Sequence, residues 1–174
     1  PPVIHRLMGD LITRPAYVIN LRWDVLAWNT VADRVFRFSQ HAPERRNLLW
    51  MLFADEPTQA LFDPWDDQAL QMLSHFRRDF VKATQEPDIC ALIKDLEKVS
   101  PDFREWWQRQ DIHGPDHGWR RLHLEGIGPV AFDYTKLTID EDHHLRLVYY
   151  AAMEDDGGTR GFAKWLNQAE ATEA

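Results

Sequence analysis

The sequence predicts an α+β fold, a five-stranded antiparallel sheet with helices covering one face, and three observations predict it. Two short alternating runs, residues 17–19 and 23–27, leave only Asn20, Leu21 and Arg22 between them, which suits an antiparallel hairpin better than a crossover. Period two returns near the end in "WRRLHLEG", "PVAFDYTKLTI" and "HLRLVYYAAM", joined by the turn signals "EGIGP" and "DEDH". The chain between these strands repeats its apolar residues at three- and four-residue steps, the period of a helix lying on a core.

Taken in order, Ile4, Leu7, Met8, Leu11 and Ile12 share helical spacing, and Thr13, Arg14 and Pro15 end that helix because proline disfavours helix in the residue before it. In the hairpin, Trp23 and Trp28 have opposite parity and are expected to differ in burial. Asn29 then precedes Val31, Ala32, Val35 and Phe36 on one helical face and is placed to cap the first turn. "PERRNLLWMLFAD" reads as helical. So do Trp65, Ala69, Met72, Leu73, Phe76 and Phe80, and then Ile89, Leu92, Ile93 and Leu96. Ser100 and Pro101 open a short helix with Phe103, Trp106 and Trp107 inward. "HGPDHG" breaks the pattern before the three strands, and an amphipathic piece with Phe162, Trp165 and Leu166 closes the chain.

At 174 residues the chain has the length of one ordinary domain, and its eight tryptophans give it more bulky apolar surface than a disordered segment carries. A formal charge of −8 argues against a nucleic-acid footprint spread over the whole domain. No run reaches the ~18 apolar residues that would span a bilayer, and no signal peptide is visible, so a cytoplasmic protein is expected. The single cysteine, Cys90, fits a reducing compartment and is expected to be an inert, buried thiol. The Pro-Pro start leads us to expect a piece of a longer protein. No nucleophile elbow, phosphate loop or dinucleotide fingerprint occurs, so neither catalysis nor a cofactor is expected. The histidines of "HGPDHG" (His113, His117, with Asp116) and "DEDHH" (140–144) lack the helical spacing of a zinc motif, and no metal is expected.

Strand, tight turn, strand, asparagine, helices and three meandering strands form a PAS-like order. The runs "PAYVINLRWDVLAWNTVADRVF", "PERRNLLWMLF", "SPDFREWWQRQDI" and "FDYTKLTI" together resemble the ligand-binding domain of MmyB-like transcription regulators, over residues 15–153 in the same order. Asn20, Trp23, Trp28 and Asn29 match the hairpin motif, residues 43–49 match "PERRNLL", Arg77 matches an arginine on the long helix, and Ser100, Phe103 and Trp107 match "SPEFxxxW". Gln110 stands where the family has histidine, and its "HP" pair is His123-Leu124 here. The resemblance implies a PAS-like domain that follows an N-terminal helix-turn-helix DNA-binding domain, absent from this chain, and that holds a fatty acid or similar amphipathic small molecule in an internal cavity.

Such a pocket needs a dry wall and a polar anchor. Trp23, Trp28, Phe36, Leu49, Phe53, Met72, Phe76, Trp106 and Phe132 are the candidate wall. Arg77 and Arg78 interrupt the inward face of an apolar helix and are the candidate anchors for a carboxylate, with His123, Tyr134 and Asn20 as further polar partners. At about 0.8 kcal/mol per buried methylene, affinity would come mainly from the tail. Residues 1–14 are expected to form a linker or dimerisation helix, 15–153 the PAS-like domain and 154–174 a C-terminal helical tail. A homodimer through the first helix is expected. The alternative is a dimerisation module of a regulator whose aromatic residues are all core and which has no ligand pocket.

Overall fold

Both ends of the chain meet in one sheet. The computed structural model describes residues 2–83, 85–109, 118–153 and 158–173. It places β1 (Ala16–Ile19) between β2 (Val25–Trp28) and β5 (Leu145–Ala152), followed by β4 (Gly128–Asp140) and β3 (Trp119–Leu124), every pair antiparallel. The five-stranded antiparallel sheet and α+β class expected from the sequence are therefore present. Gly126 and Gly128 carry the β3–β4 turn with φ of 95° and 81°, a region that side chains other than glycine's enter at a cost.

The helices are α1 (Pro2–Asp10), α2 (Thr30–Phe36), α3 (Leu48–Ala54), α4 (Glu56–Leu61), α5 (Trp65–Val81), α6 (Pro87–Val99), α7 (Pro101–Gln108) and α8 (Gly158–Glu173). Side-chain caps start four of them: Asn29, Asn47, Asp55 and Ser100 each accept a bond from the backbone N–H three residues on. The "PERRNLLWMLFAD" stretch is not one helix. Pro43–Arg45 forms a single 3₁₀ turn, and Asn47 begins α3 anew. Asn47 also donates to Arg22 O at 2.9 Å and to Asp24 Oδ1 at 3.0 Å, so this motif clamps the hairpin turn to α3.

Side chains alternate across the sheet, giving it two different faces. Tyr17, Ile19, Val148, Tyr150, Val130, Phe132, Leu122 and Leu124 point into the main core, with helices over them. Ala16, Val18 and Leu147 point the other way, where Met8 of α1 packs with Ile4 and Leu11. The sheet is thus covered on its second face as well, which explains why β1 is buried at all four positions instead of at alternate ones. In α8, Phe162 and Leu166 join the main core, Phe162 meeting Phe132 edge-on at 5.0 Å.

Trp23 departs from the strand expected for it. It sits in the β1–β2 turn at φ 72°, an uncommon conformation for a bulky residue, and it is held by its side chain as described below. Trp23 is 3% exposed and Trp28 is half-buried, so the two do differ in burial. Cys90, expected to be buried, is half-exposed near the start of α6.

Candidate ligand-binding site

The inner face of the sheet carries charge. On β3, Arg120 shares its parity with Leu122 and Leu124 and is 4% exposed. Its guanidinium donates to Tyr150 Oη at 2.5 Å and lies over the Tyr134 ring at 4.1 Å, and Tyr150 Oη shares a further hydrogen bond of 2.7 Å with Tyr17 Oη. Among the described residues no carboxylate pairs with Arg120, and its Nε has no hydrogen-bond partner. Burial lowers the pKa of this guanidinium, but the hydroxyls of Tyr150, Tyr17 and Tyr134 outweigh it and raise the pKa, so Arg120 stays charged. Burial pushes the Tyr17 hydroxyl well above its ordinary range, and Tyr150 adds to the push while Arg120 opposes it. Tyr17 is therefore neutral and gives Arg120 no counter-charge.

Arg146 on β5 is the second buried cation, and it is paired. Asp79 of α5 accepts from Arg146 Nη1 at 2.5 Å and from Trp23 Nε1 at 2.8 Å through the same oxygen, while Arg146 Nη2 donates to Asn20 O at 2.9 Å. One carboxylate thus joins α5, β5 and the hairpin turn and explains the conformation of Trp23. The third cation is Lys136 on β4. The residue as a whole is exposed, yet desolvation lowers its ammonium pKa; Asp79 opposes this, and Arg146, Arg120 and Arg78 reinforce it.

Between these strands and α5 lies a cavity of about 20 Å³, lined by Tyr17, Ile19, Trp23, Leu48, Met72, His75, Arg120, Tyr134, Lys136 and Val148. That is room for one water and far below the roughly 300–1,000 Å³ of a ligand pocket. A second hollow, a cleft of about 490 Å³, opens on the surface beside α2, α4, β3 and α8. His123, Leu124, Val35, Leu61, Trp165 and Phe36 are among its walls. Phe36 also packs on Tyr17, a wall of the inner cavity, with ring centroids 5.6 Å apart, so these two side chains stand between the hollows.

The residues expected to form the site fall into several places. Trp23, Met72 and Tyr134 line the inner cavity, and Phe36 and His123 line the cleft. Leu49, Phe53, Phe76 and Phe132 are buried in the main core, and Trp106 packs against it, with Phe53 edge-on to Trp106 at 5.8 Å. Trp28 is half-buried beneath the guanidinium of Arg46, 4.7 Å from its ring. Asn20 holds the hairpin turn, donating to Asp24 Oδ2 at 3.1 Å and accepting from Asp24 N at 2.9 Å. Arg77 donates to the carbonyls of Trp106 and Trp107 at the end of α7, and Arg78 is exposed. Gln110, His113, Asp116 and His117 lie outside the described residues. Arg120, Tyr17, Tyr150 and Asp79 were not singled out by the sequence. The available signal was an arginine on the apolar parity of "WRRLHL".

Helices thus cover an antiparallel sheet whose inner face carries cations beside α5. The chain matches the family model for the MmyB-like transcription regulator ligand binding domain over residues 1–166, and it belongs to that family. Among curated proteins the comparison gives no match. None of the described helices is long and apolar enough to cross a membrane.

Proposed function

We propose that this domain is the ligand sensor of a bacterial helix-turn-helix regulator, acting in the cytoplasm without catalysis or a cofactor. It takes a fatty acid or similar amphipathic small molecule and passes its occupancy to a DNA-binding domain elsewhere in the regulator. The observation that carries this reading is the cavity itself. Beside the main core of aromatic and aliphatic side chains, a hollow among the described residues has a polar wall of Tyr17, His75, Arg120, Tyr134 and Lys136. Of these Tyr17 and Arg120 are buried, His75 and Tyr134 half-buried and Lys136 exposed, so the wall runs from the core toward the surface; buried polar groups cost stability unless they are satisfied, and their gathering at one hollow supports a binding role. Since the cavity has only about 20 Å³, a ligand tail enters by displacing Met72, whose side chain is unbranched, and Phe36, beyond which the cleft of about 490 Å³ begins.

Extraction of the purified protein with organic solvent, followed by mass spectrometry, tests the reading together with a titration of dodecanoate followed by tryptophan fluorescence. We expect a co-purifying amphiphile or a saturable fluorescence change. Neither one being found refutes it. The small volume of the inner cavity favours a second reading, a dimerisation module with a permanently closed core. α1 and the turn after it offer the surface for it, since Val3 and Leu7 on the helix and Ile12 beyond its end are exposed. A homodimer through α1 is compatible with both readings.

A further inference from the structure

We propose that the inner cavity is an anion site, in which the guanidinium of Arg120 takes the acidic head group of the ligand and Lys136 at the cavity wall supplies a second cation. This rests on the sensor reading above and names the head group it selects. Charge balance on the inner face is the first reason. Among the described residues, the buried Arg120 and Arg146 and the more exposed Lys136 stand there against one carboxylate, Asp79, whose Oδ2 is already taken by Arg146 and Trp23. This surplus occurs in a chain of formal charge −8, so composition does not produce it.

Geometry is the second reason. Arg120 is one of the cavity's walls; its Nε, like that of Arg146, has no partner among the described residues, and unlike Arg146 it faces no carboxylate there. The guanidinium donates to the Tyr150 hydroxyl, has the Tyr17 hydroxyl close by and the Tyr134 ring against its flat face, so uncharged groups surround it. Leaving a buried cation this incompletely satisfied costs a fold stability, and an anionic oxygen supplies what is missing through a charge-assisted hydrogen bond. A purely structural arginine at this place would be matched by a carboxylate, as Arg146 is. Tyr17 and Tyr150 satisfy each other and would remain paired if Arg120 were replaced by an apolar residue.

The two roles for Arg120 therefore predict opposite results. Arg120→Met is compared with the wild-type domain in thermal unfolding without ligand and in binding of three probes of equal chain length: dodecanoate, dodecyl phosphate and dodecanol. We expect the melting temperature of Arg120→Met to be unchanged or higher. The wild type should bind one or both acids about 10- to 100-fold more tightly than the alcohol, the range that a hydrogen bond to a charged partner carries. Arg120→Met should lose that preference while keeping its affinity for the alcohol, and Arg120→Lys should retain part of it. Which acid binds better distinguishes a carboxylate from a phosphate head group. Equal binding of acids and alcohol by the wild type overturns the anion site and leaves the sensor reading intact. If no probe binds, the amphiphile reading fails. In that case a melting temperature lowered by several degrees in Arg120→Met makes the arginine structural and overturns the proposal independently.

Discussion

Replacing Asn29 by alanine should cost considerably more than the loss of a helix cap. Its Oδ1 accepts from Ala32 N at 2.9 Å, the capping bond, and also from Ala16 N at 3.1 Å. Its Nδ2 donates to the carbonyls of Met8, Leu11 and Arg14 at 3.1, 3.2 and 2.9 Å. One side chain, 8% exposed, thus ties together the end of α1, the start of β1 and the start of α2. Loss of the cap is worth about 1 kcal/mol. The N–H of Ala16, in a fully buried residue, would be left without a partner at about 1–3 kcal/mol. The carbonyls cost less, because Met8 O also accepts from Leu11 N and Leu11 O from Arg14 N. The sum is roughly 2–4 kcal/mol, against about 1 for a cap alone. Urea unfolding followed by circular dichroism measures it, and trypsin cleavage after Arg6 reports whether α1 has come loose. A loss near 1 kcal/mol with unchanged cleavage at Arg6 would show that only the cap matters and that the contacts to α1 carry no stability.

Two further outcomes are expected. Asp79→Asn should destabilise the domain by about 3–5 kcal/mol, because it strands a buried Arg146; Asp79→Leu combined with Arg146→Met should recover most of that loss, and a single-variant cost under about 1 kcal/mol would mean that the pair does not hold α5 to the sheet. If the homodimer uses α1, deleting residues 1–12 should reduce the mass measured by light scattering from a dimer's to a monomer's, and a dimer mass that survives the deletion places the interface elsewhere.

The strands were legible because period two is conspicuous wherever one face is wet, as in β3, where Arg120, Leu122 and Leu124 alternate with the exposed Arg121 and His123. The same alternation gave no sign that α1 covers the back of β1, since a strand buried on both faces differs little in sequence from any short apolar run. The site was harder to see for a different reason. Arg77 looked like an anchor because it follows Phe76 on an apolar helix, but a long arginine reaches sideways, and its guanidinium caps the carbonyls of α7. Arg120, the buried cation, carried the stronger signal, a charge on the apolar parity of a strand. Its significance depends on what lies opposite, on Tyr150 and Tyr17 from distant strands and on the absence of a carboxylate among the described neighbours. No local pattern contains that information. Asn29 shows the same limit: sequence identifies a cap, and only tertiary structure brings three carbonyls of the preceding segment within reach.

β1 is the shortest route by which occupancy of the inner cavity can be felt outside it. Tyr17 and Ile19 are cavity walls, while Ala16 and Val18, one residue away on the same strand, lie in the cluster beneath α1. A closely packed interior does not absorb added volume locally, so a ligand that widens a cavity of about 20 Å³ must move one of its walls. α5 is latched to β5 and the hairpin turn through Asp79, and Asn47 clamps that turn to α3. On the inner face of β1, Tyr17 packs on Phe36 and Phe38 and bonds to Tyr150, which is itself bonded to Arg120. If the anion-site proposal holds, a head group that draws Arg120 toward itself would change the partner of Tyr150, then of Tyr17, and so the position of the strand on which α1 rests. Asn29 fixes α1 to the first residue of that strand, so α1 has to follow β1 as a unit.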